Sequence, residues 1–225
     1  MDISNFITEH TLETEGPANA AEARKLIRDN LFHLPFRLDQ EDLLTLLHDL
    51  VYILATVALV FTFFVRIITV DGASMAPTLQ EQDRLVLLSR LWYPQPQRGD
   101  VVVARIPDFS QEPIVKRIIA VEGDVVDIDF SSGTVSVNGV ALEESYVSGP
   151  THLDYREMGI SFPVEIQKDC VFLLGDNRNQ SYDSRFSPIG QVDQRNIVGK
   201  VVCLILPGSD AETQERDYDR VGKIG

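Results

Sequence analysis

Residues 114–142 read IVKRIIAVEGDVVDIDFSSGTVSVNGVAL, and their pattern decides the fold class. Ile114–Glu122 is rich in β-branched side chains, which suit a pleated surface better than a helix. Gly123 and Asp124 supply a turn, and Val125–Phe130 then runs with period two. Ser131-Ser132-Gly133 turns the chain into Thr134–Val137. Asn138-Gly139 is the strongest short hairpin signal in the chain, because both residues tolerate the positive φ of a two-residue turn, and it leads into Val140–Leu142. The same texture extends outward. Arg84–Leu88 and Asp100–Arg105 read as strands upstream, separated by a loop at Trp92-Tyr93-Pro94 and Pro96. Val164–Ile166, Cys170–Leu174 and Ile197–Leu206 follow downstream, after an irregular excursion over 143–163. Frequent short strands with turns between them predict an all-β domain of one or two antiparallel sheets.

The N-terminal third has a different period. From Leu50 to Val65 the chain carries 16 residues without a charge. As a helix that run would span about 24 Å, and flanking leucines below with Ile67, Ile68 and Val70 above would extend it toward the roughly 30 Å of a hydrocarbon core. One transmembrane helix is expected over 45–66. It lies too far from the N-terminus, and lacks the small-x-small site, to be a cleavable signal peptide. Residues 1–17 are polar and acidic, and 18–34 carry Ala23, Leu26, Ile27, Leu31 and Leu34 at helical spacing. These define a partly helical segment 1–44, expected on the cytosolic side. Residues 67–207 are assigned to the β-rich domain, and the charged stretch 208–225 to a flexible tail.

Composition excludes several functions. A net charge of −14 offers no basic patch for nucleic acid. It offers no attraction to anionic headgroups either, so attachment to a lipid bilayer must be hydrophobic. Cys170 and Cys203 sit in apolar, strand-like surroundings and read as small core residues rather than a disulfide. His10, His33, His48 and His152 show no metal-ligand spacing. No metal or cofactor is expected.

Three stretches carry chemistry. The first is Val70-Asp71-Gly72-Ala73-Ser74-Met75-Ala76-Pro77-Thr78-Leu79, where a serine stands between small residues and Gly72 and Pro77 prevent a regular helix. Alone, Ser74 is a turn residue. As a nucleophile it needs a base, and His152 in the irregular excursion is the only histidine of the β domain. A lysine can serve if burial keeps it neutral against its ordinary pKa of about 10.4. Lys116 is the conspicuous candidate, because strand alternation puts it on the face shared by Ile114 and Ile118. Read from the strand alone, the plainer assignment is a surface residue. The third stretch, Leu174–Arg185, is too polar for a strand and too rich in hydrogen-bonding groups for a plain linker. There Ser181 could orient a lysine amine, and Asp183 and Arg185 could pair.

Together these stretches resemble type I signal peptidase, the membrane-bound Ser-Lys endopeptidase family that removes signal peptides from exported precursors. DGASMAPTL resembles the nucleophile block, RGDVVV at 98–103 the strand block after it, KRIIAVEGDVV the general-base block and GDNRNQSYDSR the closing block. The resemblance implies Ser74 as acylating nucleophile and Lys116 as general base. It implies Ser181 as the serine that hydrogen-bonds the base, Asp183 and Arg185 as a supporting pair, and Met75 as a residue near the substrate pocket. It further implies an extracytoplasmic antiparallel β catalytic domain, of the fold shared with the SOS-repressor proteases, on a single-pass membrane anchor. Cleavage would follow small side chains of the A-x-A type. Gly72 stands where some members place a serine that completes the oxyanion hole. Two alternatives compete: a self-cleaving Ser-Lys regulator, and a membrane-tethered β domain that binds a partner and catalyses nothing.

Overall fold

The computed structural model describes residues 40–209 and 215–224. The segment 1–17 and the helix expected over 18–34 lie outside the described residues. Two compact units divide between Leu54 and Ala55. A helix, α1, runs over Gln40–Phe63, and its stretch Glu41–Phe63 is long and apolar enough to cross a membrane. The predicted span 45–66 is corrected at both ends. The helix starts earlier, and Val65–Thr69 leaves it to become strand β1. The β-branched Val65, Ile67 and Ile68 fit either state, and pairing with β2 (Arg84–Ser89) decides for the sheet.

The second unit is antiparallel β throughout its described pairings. After β1 and β2 come β3 (Val101–Ala104), β4 (Ile114–Val121), β5 (Val125–Asp129), β6 (Thr134–Val137), β7 (Val140–Ala141), β8 (Val164–Glu165), β9 (Cys170–Leu174), β10 (Val192–Asp193), β11 (Ile197–Leu206) and β12 (Gly222–Lys223). The larger sheet has the order β1-β2-β11-β3-β4-β9-β10, with β12 also paired to β11. The smaller has the order β7-β6-β5-β8. This is the all-β class, preceded by one apolar helix, that the sequence predicts. The hairpin at Asn138-Gly139 forms as expected, with φ of 54° and 76°.

Strand β4 is the hub. It pairs with β3 over Ile114–Arg117 and with β9 over Arg117–Val121, with a bulge between Ile118 and Ala120. On the side that β9 covers further along, Ile114–Lys116 is therefore an unpaired edge among the described residues. The bulge lets β4 serve three apolar clusters. Ile118 packs with Val102, Leu173 and Ile197. Val115 packs against a second cluster containing Met75, Leu79, Leu87 and Val103. Ile119 and Ala120 join a third, with Val126, Val137 and Phe172, which ties the two sheets together.

Of the flexible tail expected over 208–225, residues 210–214 and 225 lie outside the described residues, and the part 215–224 is held in place. Within 215–224, β12 pairs with Cys203 and Leu204 of β11, Arg220 pairs with Asp83, and Ile224 is buried in the second cluster. A buried carboxylate and an apolar cluster, both far away in sequence, hold a stretch that has no core pattern of its own. The β unit thus extends beyond the assigned 67–207 on both sides. Cys170 and Cys203 are free thiols, half-buried rather than in the core.

Candidate active site

The nucleophile block forms a closed loop. Its neck is held by Val70 N–H donating to Asp83 O at 2.8 Å and Gln82 N–H donating to Val70 O at 2.9 Å. Inside it, Ala76 N–H donates to Ala73 O and Leu79 N–H to Met75 O, giving single turns rather than a helix. Gly72 has φ +83°, in the left-handed region where a side chain is strained. Met75 and Leu79 are buried in the second cluster and fix the turn from below.

This loop faces the unpaired edge of β4. Lys116 Nζ and Ser74 Oγ lie 2.7 Å apart, although 42 residues separate them in the chain. A second Nζ hydrogen donates to Val115 O at 2.9 Å. Lys116 is only 3% exposed. Burial pulls its pKa down from 10.5 to about 8, against the opposing pull of the Asp183 and Asp176 carboxylates. A cleft of about 310 Å³ runs over the pair. One wall is Thr69, Val70, Asp71, Ser74 and Met75; the other is Ser110 and Glu112–Lys116. Met75 is among the residues that line the cleft, from a buried position. The Ser74 amide donates to no acceptor among the described residues.

The closing block holds both sides of the site. Asn177 N–H donates to Ser74 O at 3.0 Å, and its side-chain amide donates to Ala73 O at 3.0 Å. Asp176 accepts from Arg117 Nε at 2.8 Å and Nη2 at 2.7 Å, and also from the Thr78 hydroxyl. One carboxylate thus ties the base strand to the nucleophile loop. The Arg117 guanidinium also lies 4.0 Å from the centre of the Tyr146 ring. Asp183 and Arg185 form a fully buried two-pronged pair, both bonds at 2.8 Å. Asp183 also accepts from Gly175 N–H, and Arg185 donates to the Leu153 and Arg178 carbonyls. Arg178 pairs with Glu144.

Ser181 behaves differently from its expected part. It is 3% exposed, but its hydroxyl has no hydrogen-bond partner among the described residues, and the Lys116 amine does not reach it. Gly175 explains its seat: a Cβ there would lie 2.2 Å from Ser181 Oγ and 2.5 Å from Ser74 O, so only glycine lets these segments meet. His152 is exposed, with Nδ1 2.9 Å from Phe130 O, and does not line the cleft. Among the described residues no cluster of His, Cys, Asp or Glu is placed to hold a metal.

Arg117, Asp176, Asn177, Arg178, Glu144 and Thr78 are the site-building residues that sequence reasoning missed. Arg117 lies one position from the chosen lysine, but a pairing 59 residues away leaves no local pattern. The excursion over 143–163 earns its place through Glu144, Tyr146 and Tyr155, whose hydroxyl donates to Ser181 O.

The profile of the family described as signal peptidase, peptidase S26, matches residues 43–206. Signal peptidase I of Leptolyngbya laminosa is 36% identical over 173 residues, 73% of this chain and 75% of that protein. The probable signal peptidase I-1 of Synechocystis sp. is 34% identical over 172 residues, 71% of this chain and 81% of that protein. A crystal structure of a signal peptidase I from Enterococcus faecalis, 25% identical, aligns with a TM-score of 0.36 over 47% of this chain and 96% of the other.

Proposed function

This chain belongs to the signal peptidase family, peptidase S26, and from that premise we propose that it cleaves signal peptides from exported precursors with Ser74 as nucleophile and Lys116 as general base. The observation that carries the reading is the 2.7 Å contact between a hydroxyl and an amine whose pKa burial lowers from 10.5 to about 8, so that an appreciable minority of it is neutral at physiological pH. In this mechanism Ser74 Oγ attacks the scissile carbonyl while its proton passes to the Lys116 lone pair. The Ser74 N–H meets the oxyanion. Lys116 then returns the proton to the departing amine, the new N-terminus of the mature protein, and leaves the signal peptide esterified to Ser74. Lys116 next takes a proton from water as the oxygen attacks the ester; the acyl–oxygen bond to Ser74 breaks, Lys116 returns that proton to Ser74 Oγ, and the signal peptide departs as a free acid that ionises in solvent.

The unpaired edge of β4 suits an extended substrate, whose backbone can add to Ile114–Lys116 as a further strand. Val70, Met75, Ile114 and Val115 give the cleft apolar walls, and its small volume favours small side chains of the A-x-A type before the cut. Helix α1 anchors the chain in the bilayer, with the residues before it on the cytosolic side and the β unit on the extracytoplasmic side, where precursors emerge. The Asp183–Arg185 and Asp176–Arg117 pairs position the base and the loop. Ser181 is a supporting residue held beside Gly175. The non-catalytic and self-cleaving alternatives have no comparable support, since the first requires Ser74 and Lys116 apart or Lys116 hydrated.

The test is incubation of detergent-solubilised protein with a precursor peptide, with mass spectrometry locating the cut. Wild type cuts once, after the small residue, and Ser74→Ala and Lys116→Ala leave the peptide intact. A Lys116→Ala protein that keeps the wild-type rate overturns the assignment.

A further inference from the structure

The described C-terminal segment lies beyond residues 43–206, which the family profile matches, yet it is fastened to the loop that bears Ser74. Two anchors do this, and they are chemically independent. The first is electrostatic. Asp83, fully buried at the neck of the loop, accepts Gln80 N–H at 2.8 Å and Gly208 N–H at 2.8 Å. Its cationic partner is Arg220, with Nη1 at 3.1 Å and Nη2 at 2.6 Å. Arg220 Nη2 also reaches the carbonyl of Thr78, the residue whose hydroxyl is tied to Asp176, at 3.4 Å. The second anchor is apolar. Ile224 is buried in the cluster that contains Met75 and Leu79, on either side of the turn that follows Ser74. Pairing of β12 with β11, and Ile224 N–H donating to Val202 O at 3.1 Å, fix the distance between the anchors.

We propose that residues 215–224 are a positioning element for the Ser74 loop, with Arg220 and Ile224 as its positioning residues. The inference rests on Ser74 being the nucleophile. Neither anchor touches the reacting atoms. Their effect is on the separation of Ser74 from Lys116 and on the exclusion of water from the amine. A loop displacement of the order of 1 Å is enough to slow a reaction that depends on alignment.

The experiment uses the full chain in detergent and a precursor peptide, with rates normalised to the folded fraction from thermal melts. Arg220→Ala, Arg220→Lys, Ile224→Ala and a chain ending at residue 214 are compared with wild type. The expected result for Arg220→Ala, Ile224→Ala and the shortened chain is a kcat at least about tenfold lower with KM changed far less. Their pH–rate profile moves to higher pH, because a looser loop admits water to Lys116. Arg220→Lys keeps a cation opposite Asp83 and falls between wild type and alanine. If Arg220→Ala does not fold, Ile224→Ala decides, since it leaves the Asp83 pair in place. Folded variants with the wild-type kcat and pH profile would overturn the proposal, as would a loss that vanishes on normalisation. Absence of cleavage by wild type contradicts the nucleophile assignment itself, and this inference with it.

Discussion

Lys116 and Arg117 are neighbours on β4, equally buried, and the protein treats them in opposite ways. Arg117 has a carboxylate partner at two atoms, a carbonyl at Gly99 and the Tyr146 ring. Lys116 has a hydroxyl and a carbonyl and, among the described residues, no carboxylate within ion-pair distance. A buried cation with a partner stays charged and stiffens its surroundings; one without a partner tends to lose its proton. The pattern extends through the closing block, where Arg178 and Arg185 are paired with Glu144 and Asp183. Three paired arginines frame one unpaired lysine. On the proposed reading, the difference separates a scaffold, which needs fixed charge, from a base, which must be able to lose its proton.

The contrast breaks most sharply if position 116 is made like position 117. Lys116→Arg keeps a cation and its donors but cannot become neutral, so kcat should fall about 10²–10⁴-fold, as for Lys116→Ala. Single-turnover cleavage of a precursor peptide measures it. Next in size, Asp176→Ala strands the Arg117 charge in the interior and should cost about 3–5 kcal/mol of stability in urea denaturation. Lys116→Met should do the reverse. The wild-type amine titrates near 8 when folded and near 10.5 when unfolded. Between those values the unfolded chain binds more protons, so wild-type stability rises with pH across that window. The penalty of burying the cation is fully present below pH 8, where the methionine variant should be more stable by up to about 3 kcal/mol. Its advantage should fade as pH rises and vanish above about 10.5. The smallest effect is at Ser181, whose buried hydroxyl is unsatisfied. Ser181→Ala should raise stability by about 1 kcal/mol, measured in the same denaturation.

The sheets were legible wherever one strand carries its own pattern. β6, β9 and β11 have the bounds that alternation predicts, and the Asn138-Gly139 turn needs no tertiary help. β1 was hidden because Val65–Thr69 continues an apolar run and only β2 makes it a strand. β10 and β12 are two residues each, too short for any period. The site follows the same division. Ser74 and Lys116, which the fold brings within 2.7 Å, could be singled out as candidates from their neighbours in sequence and from the family's blocks. The ties from Asp176 to Arg117 and Thr78, and from Asn177 to Ser74, join segments 59 to 103 residues apart and exist only in the folded chain. Ser181 shows the limit of a block match: its place beside Gly175 is clear, but its expected bond to the amine is not formed.

The most direct test of the central claim is the pH dependence of kcat/KM for a neutral precursor peptide, which reports the base in the free enzyme. A neutral Lys116 requires the rate to rise through about pH 8 and then level off. A rate that is flat across this range, or one that climbs only toward the ordinary lysine value near 10.5, would contradict it.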